Sequence, residues 1–339
     1  MTRLLLLALL LPFSLSSGKG PAYLSEEEAR QADPDFELLG EYHSAKGMAQ
    51  LLPTGHGDDW LAVWIPGELS GFWIGSTTPE MVVGTPQDGW AFSSGMTWLV
   101  NEEGLTLNQD GESIPLQKLH RQSPTANASP PEGAKILFDG SAASLEHWKN
   151  GKRNELGFLQ AGTSTVDHFG DFHLHLEFRQ PYKPTTPLGN QDRGNSGLYI
   201  FNRYECQVLD SFGAHFFHQP EGEWEADFEA ILRYAPPSLR TQWCGSFYKK
   251  AHPRVNACLP ALAWQTYDID FTAPRFEGEI KISSARATVR LNGILIHEDI
   301  VLEKGTGNGG KRPEVPDGGL YLQAHGNPVV YRHIWIVEK

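Results

Sequence analysis

Taken as a string of apolar and polar positions, the chain falls into short segments of period two, separated by Gly, Pro, Asp and Asn. Residues 172–179 (FHLHLEFR) alternate strictly. Phe172, Leu174, Leu176 and Phe178 share one face, and His173, His175, Glu177 and Arg179 the other, the pattern of an antiparallel strand with one buried side. Residues 204–209 (YECQVL) set Glu205 and Gln207 against Tyr204, Cys206 and Val208. Residues 288–297 (TVRLNGILIH) read as a hairpin with Asn292-Gly293 at a primed turn. LYLQAH (320–325) and VYRHIWIV (330–337) add two more strands. Upstream, WLAVWI (60–65) and GLTLNQDGESIPLQKL (104–119) carry the same signal. The pattern predicts an all-β chain. A small β-rich N-terminal domain spans 24–121, and a Pro- and Ser-rich linker spans 122–134. From 135 to 339 comes a β-sandwich of jelly-roll type. Two helices are expected. One covers 24–33, capped by Ser25 with Glu26, Glu27 and Glu28 in its first turn. The other covers 221–234, with Trp224, Phe228, Ile231 and Leu232 as one apolar stripe.

Residues 1–18 change the picture of where the protein works. Arg3 precedes an unbroken apolar run from Leu4 to Leu11, Pro12 breaks it, and Ser14, Ser16 and Gly18 are small. This is the layout of a cleaved secretory signal, too short to span a bilayer. The expectation is a secreted or periplasmic protein, starting near Ser17 to Lys19, with no membrane attachment after cleavage. The charge argues against nucleic acid and anionic lipid as partners. Lys and Arg total 28 against 41 Asp and Glu, a net −13, whereas a nucleic-acid binder needs a basic face. Three cysteines cannot build a four-cysteine zinc site. Cys244 and Cys258 flank a short loop and are expected to form a disulfide in an oxidising compartment, with Cys206 inert on the apolar side of its strand. Asn127-Ala-Ser129 is a lone glycosylation sequon, read as chance.

No Walker loop, H-E-x-x-H or G-x-S-x-G motif occurs, which leaves nucleotide, zinc-peptidase and esterase readings without support. What remains is polar side chains on strand faces. Glu205 and Gln207, two apart, point the same way. A carboxylate beside an amide suits a sugar, and an equally weighted reading pairs Glu205 with an Arg as structure. His173, His175 and Glu177 have spacing for a metal on one face, although an exposed polar sheet face is the favoured expectation. His325, at a strand end with Arg332 nearby in sequence, is an acid/base or anion-holding candidate.

Five motifs in order then carry a resemblance. They are ILFDG (136–140), FGDFHLHLEFR (169–179), GNSGLYIFNRYECQVLDSFG (194–213), WQTYDIDFTAPRF (264–276) and GGLYLQAHGNPVVYRHIWIVEK (318–339). Over about residues 135–339 the chain resembles the 3-keto-disaccharide hydrolase family, exported bacterial domains of concanavalin A-like jelly-roll fold. Two departures stand out. Ala324 occupies the place where the family usually has Asp, and the segment from about 214 to 242 is longer than the family norm, in the place of a lid or an interface. The resemblance implies chemistry on a glycoside oxidised at C3, where the ketone acidifies the C2 proton. It implies a base (Glu205, with His325 second), a donor to the leaving oxygen (Tyr248), and substrate contacts from Gln207, Arg332, Asn195, Gln323 and Arg179. It also allows a divalent cation bridging the C2 and C3 oxygens, with no ligand set assigned. Two other functions compete: a non-catalytic carbohydrate-binding module of the same fold, and an ordinary glycosidase with paired carboxylates.

Overall fold

The computed structural model describes residues 20–67, 79–101, 104–214 and 237–339. The expected signal segment and the expected 221–234 helix lie outside the described residues. The first helix is present as Glu26–Ala32, with the Ser25 hydroxyl accepting from the Glu28 N–H, because Ser at the N-cap satisfies a donor the helix cannot.

Two antiparallel sheets follow. One runs in the order Glu80–Gly84, Trp60–Pro66, Gly47–Pro53, Gly40–Ser44, Gln117–Leu119. The other is a meander of Trp90–Ala91, Thr97–Asn101, Gly104–Gln109 and Glu112–Pro115. Between them Leu51, Leu61, Val63, Trp90, Trp98 and Leu107 are buried. Trp64 meets Trp98 edge to face at 6.0 Å, a favoured aromatic geometry.

Beyond residue 134 lies a jelly-roll β-sandwich. Its larger sheet has the order Lys135–Phe138, Val330–Glu338, Phe172–Arg179, Trp264–Thr272, Ala285–Leu291, Ile294–Leu302, with Leu159–Gln160 also pairing Val330–Glu338. The facing sheet runs Trp148–Lys149, Thr163–Thr165, Leu320–Leu322, Ser196–Ile200, Tyr204–Val208. Phe172, Leu174, Leu176 and Phe178 all point into the core, against Leu198, Ile200, Cys206 and Val208 of the facing sheet. The Asn292-Gly293 turn has φ of 53° and 78°, the left-handed pair that a two-residue hairpin of this twist requires.

The polar face of Phe172–Arg179 departs from expectation. It is not an exposed face, since His175 and Glu177 are fully buried, and among the described residues no group of three or more His, Cys, Asp or Glu converges there as a metal site. Residues 123–127, within the expected 122–134 linker, pack over it. The Asn127 N–H donates to Glu177 Oε1 at 2.5 Å, and Thr125 Oγ1 to Asp268 Oδ2 at 2.7 Å. His175 Nδ1 lies 2.6 Å from Asp268 Oδ1. Arg332 Nε donates to Glu177 Oε2 at 2.7 Å, and His333 Nδ1 lies 3.0 Å from Oε1. His173 is spoken for by Asp270 at 3.2 Å. Burial pushes the Glu177 carboxyl up, but His175, the Asn127 N–H, Arg332 and His333 outweigh it and hold it at about 2.

The cysteine expectation is also corrected. Cys206, Cys244 and Cys258 are all buried free thiols. Cys244 and Cys258 do come together, but each has its own partners. Cys244 Sγ lies 3.4 Å from Tyr267 Oη, and Gln265 Nε2 donates to Cys258 Sγ at 3.4 Å. Burial, followed by the neighbouring Cys244 thiol, pushes the Cys258 thiol well up, which keeps it protonated and unreactive.

Candidate functional site

The site forms on the outer face of the smaller sheet of the sandwich. Strands Ser196–Ile200 and Tyr204–Val208 are joined by a tight turn in which Phe201 and Asn202 have positive φ. That turn sets Tyr199 opposite Glu205 and Gly197 opposite Gln207. On the other side Tyr199 pairs with Tyr321 and, beyond it, Tyr321 with Ser164. Gln323 joins the next row, its N–H donating to the Gly197 carbonyl at 2.8 Å.

Glu205 is 3% exposed. Tyr199 Oη donates to its Oε2 at 2.7 Å. Among the described residues no Arg or Lys forms a salt bridge with it, and burial pushes its carboxyl up to about 7, with the Tyr199 hydrogen bond opposing. A side chain at position 197 would drive its Cβ to 2.7 Å from Glu205 Oε1, so Gly197 is what gives the carboxylate room. The Glu205 backbone is fixed on both sides. Its N–H donates to Thr306 Oγ1 at 2.8 Å, and its carbonyl accepts from the Tyr248 N–H at 3.1 Å. Gly307 sits between Tyr248 and Glu205: a Cβ there would lie 3.2 Å from Tyr248 Cδ1 and 3.6 Å from Glu205 Oε2. The run Gly305–Gly310 has the spacing of a dinucleotide fingerprint. It opens only the three-residue 3-10 turn Gly309–Lys311, and a fingerprint needs a full helix N-terminus behind its glycines.

Beside the carboxylate lies a nest of amides. Gln191 Oε1 accepts from both Gln207 Nε2 and Asn195 Nδ2, each at 3.2 Å. Gln191 Nε2, Asn195 Oδ1 and Gln323 Oε1 are buried without a hydrogen-bond partner. Buried polar atoms are nearly always paired, so three orphans in one neighbourhood leave one donor and two acceptors with hydrogen-bonding capacity unused. Gln191 also borders a groove of about 450 Å³ lined by Gly20, Thr185, Thr186, Asn190, Asp192 and His325.

Of the residues expected from sequence, the structure brings together Glu205, Gln207, Tyr248, Asn195 and Gln323. His325 stands exposed on the rim, in the groove beside Gln191. Arg332 and Arg179 do not belong to the site. Both lie on the outer face of the opposite sheet, where Arg332 stacks over Trp264 at 4.0 Å and binds Glu177, and Arg179 reaches the Leu24 carbonyl. Nearness in sequence to His325 misplaces Arg332, because the chain crosses between sheets at Asn327-Pro328. Tyr199 and Gln191 were not foreseen. Tyr199 is recoverable by counting back from the FNR turn, while Gln191 lies on a loop with no periodicity to read. Among the described residues no group of three or more His, Cys, Asp or Glu converges as a metal site.

A family model described as a 3-keto-alpha-glucoside-1,2-lyase-like domain matches residues 133–337. A crystal structure from Parabacteroides distasonis, described as a "putative glycosyl hydrolase", aligns at 27% identity with a TM-score of 0.50, covering 62% of this chain and 86% of that one. Two further structures of the same organism and description align at 16% and 17% identity, with TM-scores of 0.39 and 0.37. They cover 61% of this chain in each case, and 95% and 99% of their own. No curated protein matches the chain significantly.

Proposed function

The chain belongs to the 3-keto-alpha-glucoside-1,2-lyase-like family, and from that premise we propose that it cleaves glycosides already oxidised to a ketone at C3. The observation that carries this reading is Glu205: a buried carboxyl without a cationic partner among the described residues, held at about 7, next to three unpartnered amide atoms. A base of that strength is matched to a C–H made acidic by a neighbouring ketone.

Glu205 takes the C2 proton, and the C–H electron pair moves into an enolate across C2, C3 and the C3 oxygen. The enolate then collapses to a C1–C2 double bond, and the C1–O bond breaks with its electrons on the leaving oxygen. Tyr248 is the donor we assign to that oxygen. The Gln191 N–H faces the developing charge or a neighbouring hydroxyl, and Asn195 and Gln323 accept from sugar hydroxyls. Water adding to the double bond completes net hydrolysis, whereas release before that addition makes the same step a lyase reaction. Ketone polarisation is assigned to the Gln191 N–H. Export through the apolar run Leu4–Leu11 belongs to the same proposal.

The test offers a 3-keto-glucoside and its unoxidised parent side by side in D₂O. Turnover of the keto form alone, with deuterium entering C2, is the expected result. Binding without turnover would make the protein a carbohydrate-binding module, and turnover of the parent would make it an ordinary glycosidase.

A further inference from the structure

Two amides of the site, Gln191 and Asn195, hang on residues 180–195, the connection that carries the chain from one sheet of the sandwich to the other. The back of this connection is held by the N-terminal part of the chain. Tyr23 and Tyr182 exchange two backbone hydrogen bonds of 2.9 Å. Tyr182 Oη donates to Asp33 Oδ2 at 2.5 Å. The Leu188 N–H donates to the Thr54 carbonyl at 3.1 Å. Tyr182 and Leu188 are buried in the same apolar cluster as Leu51, Leu52 and Trp60.

Arg193 ties both sides together. It is 1% exposed. Its Nε donates to Asp210 Oδ2 at 2.9 Å, its Nη1 to the Thr186 carbonyl at 2.5 Å, and its Nη2 to the Pro53 carbonyl at 3.2 Å. One guanidinium therefore joins the edge of an N-terminal strand, the start of the loop, and the segment following strand Tyr204–Val208. Gln191 and Asn195 flank it. The approach of the two parts is close: at Gly55, with φ of +87°, a Cβ would lie 2.4 Å from the Thr186 and Pro187 backbone. No flexible side-chain end is there to yield.

We propose that the N-terminal sheets are part of the substrate site: through Pro53, Thr54 and the positioning residue Arg193 they hold residues 186–195, and so fix Gln191 and Asn195 against the sugar. This rests on the reaction assigned above to Glu205 and gives the N-terminal sheets a role in it. Neither Arg193 nor Gly55 touches the reacting atoms.

The experiment uses the full chain and two substitutions, Gly55→Ala and Arg193→Lys. The first pushes the loop from the N-terminal side. The second keeps a charge for Asp210 but loses the fork that reaches Thr186 and Pro53. Amide hydrogen exchange should quicken in 186–195 and stay unchanged in strand Tyr204–Val208. KM for the 3-keto-glucoside should rise roughly tenfold, the loss expected for one or two misplaced hydrogen bonds. The pH dependence of kcat, set by Glu205, should not move. A general loss of structure in both variants would change all of these together and would overturn the proposal, as would faster loop exchange with unchanged KM. If one variant does not fold, the other decides. If the wild-type protein turns over no 3-keto-glucoside, the assigned reaction fails. Exchange then decides alone: faster exchange confined to 186–195 sustains the positioning role, and unchanged exchange overturns it.

Discussion

A carboxyl near 7 inside a sheet face has consequences for both rate and stability. Replacing Glu205 with Gln keeps the shape and removes the proton acceptor, so turnover should fall by roughly 10²–10⁴. Wild-type kcat/KM should rise with pH and level off above about 7, where the carboxylate form dominates. The stability effect has the opposite sense. The folded protein holds this group above its ordinary 4.5, so it favours the protonated form. The associated stability, about 3 kcal/mol, is full below the ordinary value and is lost as pH rises through about 7. Glu205→Gln should therefore gain thermal midpoint over wild type at pH 8 and not at pH 5, the usual trade of stability for a working group. A clear loss of midpoint at both pH values would mean the carboxylate is structural. Tyr199→Phe supplies an independent check. The hydroxyl stabilises the carboxylate, so its removal should shift the rising limb of the pH profile to higher pH while leaving the high-pH plateau within a few-fold. An unmoved limb would dismiss Tyr199 as the partner that tunes the base. Glu205 and Gln207 were legible in the sequence because period two puts them on one face. Tyr199 was less so, since cross-strand pairing depends on the register of a three-residue turn.

Among elements, the chain from 123 to 127 does more than connect. It closes over Glu177, whose two oxygens are met by Asn127, Arg332 and His333, joining two strands and the covering segment at one buried carboxylate. With the group held at about 2 against an ordinary 4.5, its stability is present above 4.5 and is lost as pH falls toward 2. Glu177→Gln leaves the Arg332 charge without its partner and should cost about 3–5 kcal/mol at pH 7, read as a lower denaturant midpoint. The gap to wild type should close as pH approaches 2, and a gap independent of pH would assign the loss to packing alone. Here the limit of sequence reading is physical. Alternation in FHLHLEFR told which side chains share a face. It did not tell that the His-and-Glu face would be roofed, because a segment of Ser, Pro, Thr and Asn has no period that announces where it docks. The same limit put Arg332 beside His325, when strand Val330–Glu338 carries it into the opposite sheet.

At the scale of the whole molecule the question is whether the N-terminal sheets and the sandwich are separable. The sandwich keeps a core of its own, but the core of the N-terminal sheets is completed by residues from the sandwich side. Tyr182, Leu188, Phe212, Ala261 and Leu262 come from the sandwich side, yet lie in one buried cluster with Leu51, Leu52, Trp60 and Trp64. Leu52 is fully buried, and it packs so closely on Gly213 that a Cβ there would come within 2.4 Å of it. Gly213 follows Asp210, the partner of Arg193. The full chain should therefore unfold in one transition, with calorimetric and van't Hoff enthalpies in agreement. Leu52→Ala removes a buried side chain from the N-terminal sheet and should cost about 2–5 kcal/mol. If the two parts unfold as one cooperative unit, that loss is felt on both sides. Global exchange protection should fall equally in strand Gly47–Pro53 and in strand Phe172–Arg179, which lies in the separate core of the sandwich. Two separate units would respond differently: protection in Gly47–Pro53 would drop while that in Phe172–Arg179 stayed at its wild-type value, and calorimetry would split into two peaks. That outcome would return residues 24–121 to the status of an appendage and remove the mechanical basis for their hold on the substrate loop.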